Sequence, residues 1–391
     1  MLDSLKKSQN SQIFPKNIHA ENINEIPVNN SLINYRLKEN AHSRTLATIP
    51  DETQNAFLVG ITQKGNNSEL VKVIYDELNK KITHQTILDF NTEKDQQSQE
   101  IPQINEIIKI YPKTVTDFLL NVFNSTTNQY ELKFFSENKP GLYDNISCIN
   151  SNELFDINFG TKSANINYIS KKGIKYIDIN KNSIIEEINF KEDELNSNPP
   201  MKISSDIFVL DENVLGCGIG QNIYTVDIRE KKITHNISHT QEGNILCFQF
   251  DPISPFGFCT SATDFSIKFW DIRKPEKEIG GIYNNSHWIW ELKYNKSYSN
   301  VMVTASSSSL VRGIIFDKAE GGEDKNRIGF DKFQGDKNLK KYSYIDYCEF
   351  EDSVYSLDWM KNDTWSFVAT SFNAFFHVNT IPEEVKNRIK F

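Results

Sequence analysis

The sequence predicts an all-β chain folded as a seven-bladed β-propeller, and three observations carry that prediction. Helical periodicity is nearly absent. Short alternating runs such as "FLVGIT", "LVKVIYD", "GIKYIDI", "NIYTVDI" and "SIKFWDI" recur between turn residues instead, the period-two pattern of half-buried strands. Second, a large apolar residue followed by Asp recurs at Ile177-Asp178, Val226-Asp227, Trp270-Asp271 and Phe316-Asp317, and the Asp residues step by 49, 44 and 46 positions. Third, weaker rungs extend this ladder to Tyr75-Asp76, Phe135-Ser136 and Val378-Asn379, with steps of 60, 42 and 62 where polar insertions lengthen the repeat. Seven rungs at a base period of about 45 residues indicate seven four-stranded blades. A sandwich produces no such period.

Taken in chain order, residues 1–30 are polar and Asn-rich and read as a flexible arm, which leaves 31–391 for the propeller. The last blade is incomplete at the C-terminus, because "FVATSF" and "AFFHVNT" supply only its middle strands. Its outermost strand must come from the N-terminal side, near "LINYRLKE". Such closure removes the open sheet edges that invite aggregation. Two polar insertions, at about 91–103 and 318–341, read as loops on the rim or face. The stretch "GCGIGQN" carries Gly216, Gly218 and Gly220. It lacks GxGxxG spacing and a strand follows it, so a tight strand-to-strand turn is expected rather than a phosphate loop.

The fifth blade is the best formed. His239 precedes its inner strand, Thr260 or Ser261 lies on the next strand, Asp264 sits in the following turn, and Trp270 stands six residues later. This is the His, Ser/Thr, Asp, Trp arrangement of a WD repeat, and His239, Ser261, Asp264 and Trp270 are taken as a structural tetrad. Each polar group would satisfy the next while buried. A hydrolase triad would use the same residue types, but the spacing is that of the repeat and no oxyanion-hole motif accompanies it. The sixth blade keeps His287 but has Ser308 where Asp is expected. In the seventh, Phe350 replaces the His and Asn373-Ala374 replace Asp-Gly.

Two of the five tryptophans, Trp288 and Trp290, stand one residue apart in "SHWIWELKYN". Residues i and i+2 of a strand share a face. Aligning this stretch on "NILCFQF" and "SVYSLDW" puts Ile289, Leu292 and Tyr294 on core positions and matches Trp290 to Leu246 and Tyr355. Leu246, Trp288, Trp290 and Tyr355 are therefore candidate partner-binding residues at the mouth of the central channel. Aromatic side chains suit that role because they offer large amphipathic area at low entropic cost. The alternative is that both indoles only fill space between blades.

Composition narrows the function classes. Net charge is −9, which disfavours nucleic-acid binding. The five cysteines, Cys148, Cys217, Cys247, Cys259 and Cys348, have no CxxC spacing and read as reduced thiols of a cytoplasmic protein. The histidines show no metal-ligand spacing, and no cofactor is expected. The start of the chain has no apolar h-region, and no run of 18 apolar residues occurs, so neither a signal peptide nor a membrane span is expected.

"SHWIWELKYN" followed by "VTASSSS", then "EFEDSVYSLDWMKNDTWSFVATSF", resembles the WD-repeat family of EARP and GARP complex-interacting proteins. "FSIKFWDIRKP", "AFLVG" and the ending "NTIPEEVKNRIKF" agree. The resemblance is clear over Asn244–Phe391 and weaker but collinear over 31–243. Trp288, Trp290, Asp352, Tyr355, Asp358 and Trp359 carry most of it. The chain departs from the family in its divergent first half, its Asn-rich arm and the missing Asp-Gly turns of its last two blades. The resemblance implies a non-enzymatic propeller, monomeric within a larger assembly, that binds a multisubunit tethering complex at endosomes and the trans-Golgi network and supports recycling. Two rivals stand beside it. One is another WD-repeat adaptor, such as a peroxisomal import receptor or a chromatin subunit. The other is a propeller enzyme, which would need convergent acid, base or metal groups at the channel mouth.

Overall fold

The computed structural model describes residues 24–25, 33–50, 54–63, 67–90, 106–190, 200–208, 213–316 and 342–390, with short interruptions at 115, 125–126, 140–141, 160–164, 180, 182, 238–241, 255, 284 and 348–349. The two polar insertions and His239 lie outside the described residues, as does the 1–30 stretch apart from Asn24–Glu25. Seven sheets, each built on four antiparallel strands, form the ring of a seven-bladed propeller; the strands follow one another in sequence in six of them, and a short parallel strand adds a fifth to blade six. The inner strands are Ala41–Thr48, Glu106–Pro112, Phe155–Phe159, Ile203–Ile207, Ile245–Phe250, Ile289–Tyr294 and Val354–Trp359, for blades one to seven.

The ladder seen in the sequence marks the third strand of every blade. Asp76, Asp178, Asp227 and Asp271 end such strands, Phe316 ends that of blade six, and Ser136 and Asn379 lie within those of blades two and seven. The chemistry explains the repeat. Asp76 accepts the amides of Leu78 and Asn79, Asp227 those of Arg229 and Glu230, and Asp271 that of Arg273. Each carboxylate thus fixes the turn into the outermost strand, a local bond that Asp makes better than most residues. At Asp227 the amide of Glu230, then burial opposing it and the Arg229 charge, leave the carboxyl below its usual range.

Closure follows the expected route. Ile33–Arg36 pairs antiparallel with Phe375–Thr380, so a strand from the N-terminal side completes blade seven. Asn24–Glu25 pairs in parallel with the outermost strand of blade six, Tyr342–Tyr347. A helix absent from the sequence reading, Glu383–Lys390, follows Pro382. Its Val385 and Ile389, one turn apart, bury against Val301, Trp365 and Phe367. Eight residues are too few for a visible helical period.

Seven apolar clusters fill the seven joints between neighbouring blades. At the joint of blades five and six, for example, Cys247, Cys259 and Phe269 meet Leu292, Tyr294 and Met302. The glycine run belongs to the second strand of blade four, Val214–Ile219, which a two-residue turn joins to Asn222–Asp227. A Cβ on Gly216 or Gly218 would come within 2.2 Å of Phe248 or 2.4 Å of Ile245, so these glycines let blade five press against blade four. Gly220 adopts φ +60° in the turn itself.

Each inner strand exposes a free edge to the channel, and backbone groups there need partners. Side chains of the preceding blade supply them. The amide of Phe250 bonds Asp206 (3.0 Å), that of Tyr294 bonds Gln249 (2.8 Å), that of Leu357 bonds Glu291 (3.3 Å) and that of Thr48 bonds Asp358 (3.1 Å). Asp156 and Tyr111 serve the amides of Ser205 and Ile157 in the same way. Among the described residues, six of the seven joints carry such a bond. The seventh, between blades one and two, carries the Arg44–Glu106 ion pair at 2.9 Å.

Candidate functional site

The inner strands share a local irregularity that positions the site. A β-bulge lies near the start of each of five of them, between Ser43 and Thr45, Ile107 and Lys109, Ile245 and Cys247, Ile289 and Glu291, and Val354 and Ser356. The extra residues are Arg44, Ile108, Leu246, Trp290 and Tyr355. A bulged residue has no cross-strand partner and is re-aimed. The alignment that equated Leu246, Trp290 and Tyr355 had therefore found the bulge position.

Around it, seven rings form a continuous arc on the face where the inner strands begin. Phe265 lies 5.9 Å from His287, His287 5.4 Å from Trp288, and Trp288 5.7 Å from Trp290 at an interplanar angle of 87°. Trp290 lies 5.1 Å from Tyr355, Tyr355 5.9 Å from Phe372, and Phe372 stacks on His42 at 4.9 Å. The arc spans blades five, six, seven and one, and all seven side chains are half-buried. Both indole N–H groups are already engaged: Trp288 donates to the Thr263 carbonyl (3.1 Å) and Trp290 to the Ser307 hydroxyl. Only ring faces remain to meet a partner. The Arg44 guanidinium lies over Tyr355 and Phe372, 5.3 Å from each, where cation–π attraction holds it.

The charges near the arc are mostly carboxylates. Asp264 sits beside the Trp288 contact, and Glu351 and Asp352 lie just before Tyr355, with Glu351 exposed. The cations are occupied, Arg44 by Glu106 and Lys202 by the Trp290 carbonyl (2.8 Å). Burial raises the Glu106 carboxyl, against the pull of Arg44. Burial also lowers His287, and burial together with Arg44 lowers His42, so both imidazoles are neutral at pH 7.

The sequence-predicted residues fare unequally. Ile289, Leu292 and Tyr294 are buried as expected, and Trp288, Trp290 and Tyr355 come together. Leu246 does not join them. It is fully buried, on the blade spanned by the Lys202 bond from blade four to blade six, and no partner can reach it in this state. In blade five, Trp270 donates its indole N–H to Thr260 (2.9 Å), whereas Ser261 donates to the Ile289 carbonyl of blade six (2.9 Å). The hydroxyl that meets the indole is Thr260's, because alternation sends its neighbour to the other face. Asp264 accepts from the Ser266 amide (3.0 Å), the Ser266 hydroxyl (2.7 Å) and the Glu242 amide (3.2 Å), while His239 lies outside the described residues. Phe372, His42 and Arg44 were missed as site residues. Arg44 occupies the same bulge position as Trp290 in blade one, and extending the alignment there would have found it.

No family model matches the chain. It is 27% identical over 175 residues to an EARP-interacting protein homolog of Gekko japonicus, covering 42% of this chain and 45% of that protein. It is 27% identical over 152 residues to EARP and GARP complex-interacting protein 1 of Homo sapiens, covering 36% of this chain and 39% of that protein. A WD repeat-containing protein of Arabidopsis thaliana, DWA2, is 29% identical over 101 residues, 26% of this chain and 28% of that protein. The matches thus span less than half the length of these relatives, and they bear out the resemblance read from the sequence.

Proposed function

We propose that this WD-repeat propeller is a non-enzymatic adaptor that docks a multisubunit tethering complex of the EARP and GARP type through its aromatic arc. In that role it would act in the cytoplasm on endosomes or the trans-Golgi network, in recycling and vesicle transport. The observation that carries the proposal is the arc itself. Large half-buried rings clustered on one face, with their N–H groups satisfied internally, present apolar area suited to a protein partner. Six of its seven rings, from Phe265 to Phe372, lie within Asn244–Phe391, where the family resemblance is clearest. The relatives are named for their interaction with these complexes, which agrees with a docking role. Among the described residues, no helix is long and apolar enough to cross a membrane.

Affinity purification tests this reading. Tagged wild-type chain should co-purify the tethering complex, and Trp288→Ala with Trp290→Ala should lose it. Truncating a central interface Trp typically costs about 2 kcal/mol, roughly thirtyfold in affinity. Capture by the double variant at the wild-type level would overturn the proposal.

A further inference from the structure

The arc already shows what it can bind. The Arg44 guanidinium rests over Tyr355 and Phe372, 5.3 Å from each ring. The adjoining corner, formed by Trp288 and Trp290 at 87°, has no cation over either indole among the described residues. Trp offers the strongest of the aromatic faces to a cation. We infer that this corner receives an arginine side chain of the partner, repeating in trans the contact that Arg44 makes in cis. The inference rests on the docking proposal and names the chemistry that the docked segment must present.

Three further features agree. The indole N–H groups are both bound internally, so the corner offers π faces and no donor, which suits a cation better than a carboxylate. The nearby charge held in no ion pair among the described residues is that of carboxylates, which accept hydrogen bonds only. Glu351 is exposed, Asp352 and Asp264 are half-exposed, and all three flank the arc. Asp352 is near enough to raise the Tyr355 phenol, after burial, which dominates, and against Arg44. Finally, Arg44 is paired with Glu106, which weakens its repulsion of an incoming guanidinium. Charge complementarity of this kind selects partners and speeds encounter.

The test uses the full chain and two blocked pentapeptides, Gly-Gly-Arg-Gly-Gly and the same peptide with citrulline, which keeps the shape of arginine without its charge. Indole N–H resonances of Trp288 and Trp290, assigned by single Trp→Phe variants, are followed during titration. The arginine peptide should shift both signals saturably, and the citrulline peptide should bind about two- to fivefold more weakly, the loss of about one exposed cation–π contact. Glu351→Lys should weaken the arginine peptide and leave the citrulline peptide unchanged. Equal binding of the two peptides, or no shift of either indole at tens of millimolar, overturns the inference. The two readings fail separately. If the double Trp variant loses the tethering complex while both peptides bind alike, the arc stands as the docking surface and the arginine assignment falls. If the double variant keeps the complex, the docking proposal falls first.

Discussion

His377, on the third strand of blade seven, meets Asn34 on the strand that closes the ring: its Nδ1 lies 2.6 Å from the Asn34 Oδ1, across 343 positions of sequence. The two residues are cross-strand partners in the register. His377 is buried, packs at 4.2 Å on Phe350 and also meets the Ser371 hydroxyl at 3.2 Å. A buried imidazole with both nitrogens engaged is a polar rivet in an otherwise apolar joint. Asn34→Ala should cost about 1–3 kcal/mol, since it strands a buried nitrogen. Deleting residues 1–40 removes the strand entirely and should lower the melting temperature of the whole ring, whereas deleting 1–20 should leave it nearly unchanged. Thermal denaturation of the three proteins checks this.

The same histidine gives a pH dependence. Burial depresses His377 from 6.5 to about 3, so it is neutral in the fold and charged in the unfolded chain below pH 6.5. The unfolded state then binds the extra proton, and stability is lost as pH falls from 6.5 toward 3. The slope approaches about 1.4 kcal/mol per pH unit. His377→Gln should flatten denaturation midpoints over that range. An unchanged slope would mean that His377 is protonated in the fold.

Asp206 acts in the opposite sense. Burial raises its carboxyl from 3.8 to about 6, although it accepts the Phe250 and Ile207 amides. Here the folded state holds the proton longer, so stability falls as pH rises from about 4 to 6 and then levels off. Asp206→Asn retains an oxygen for the Phe250 amide and removes the buried charge. At pH 7 it should match or exceed wild type by about 1 kcal/mol, a figure reduced because Asp206 is only half-buried and solvent screens it. Its advantage should vanish near pH 4.

Asp264→Ala removes an acceptor used by three donors in one turn, the Ser266 amide and hydroxyl and the Glu242 amide. The expected loss is about 1–2 kcal/mol. Thr260→Val should cost a similar amount by orphaning the Trp270 N–H, and Ser261→Ala should instead weaken the joint to blade six through the Ile289 carbonyl. Chemical denaturation separates these contributions.

These cases show what the sequence discloses. The Asp ladder was legible because Asp76, Asp178, Asp227 and Asp271 bond amides two or three residues ahead, a local interaction that leaves a local signature; Asp317 lies outside the described residues. The closing strand was legible because "AFFHVNT" ends the sheet one strand short. The site was only half legible. Alignment found the bulge position at Trp290 and Tyr355, but gave no sign that Leu246, at the same position, would be sealed. Nor could it pair Phe372 with His42, whose stacking depends on ring closure bringing residues 330 positions apart into contact. The choice between Thr260 and Ser261 turned on strand phase, which one bulge in the neighbouring inner strand makes hard to count.

Whether the two indoles serve a partner or merely fill the joint is decided by comparing stability with binding. Leu292 is fully buried between blades five and six, and Leu292→Ala should cost about 2–5 kcal/mol, through lost transfer energy and the cavity left behind. Trp288 and Trp290 are half-buried and lose only part of their area from water. Their contacts to the Thr263 carbonyl and the Ser307 hydroxyl are single bonds at the surface. The double variant Trp288→Ala with Trp290→Ala should therefore lose less stability than Leu292→Ala alone, by a margin visible in the denaturation midpoint. A docking surface combines that small structural cost with complete loss of tethering-complex capture. If the double variant instead unfolds as readily as Leu292→Ala, the indoles are structural filling, and any loss of capture would reflect a broken blade. Retaining the ring faces as Trp288→Phe with Trp290→Phe gives the decisive control. It should keep most of the stability and part of the capture, because an aromatic face is kept while the larger, stronger indole faces are lost.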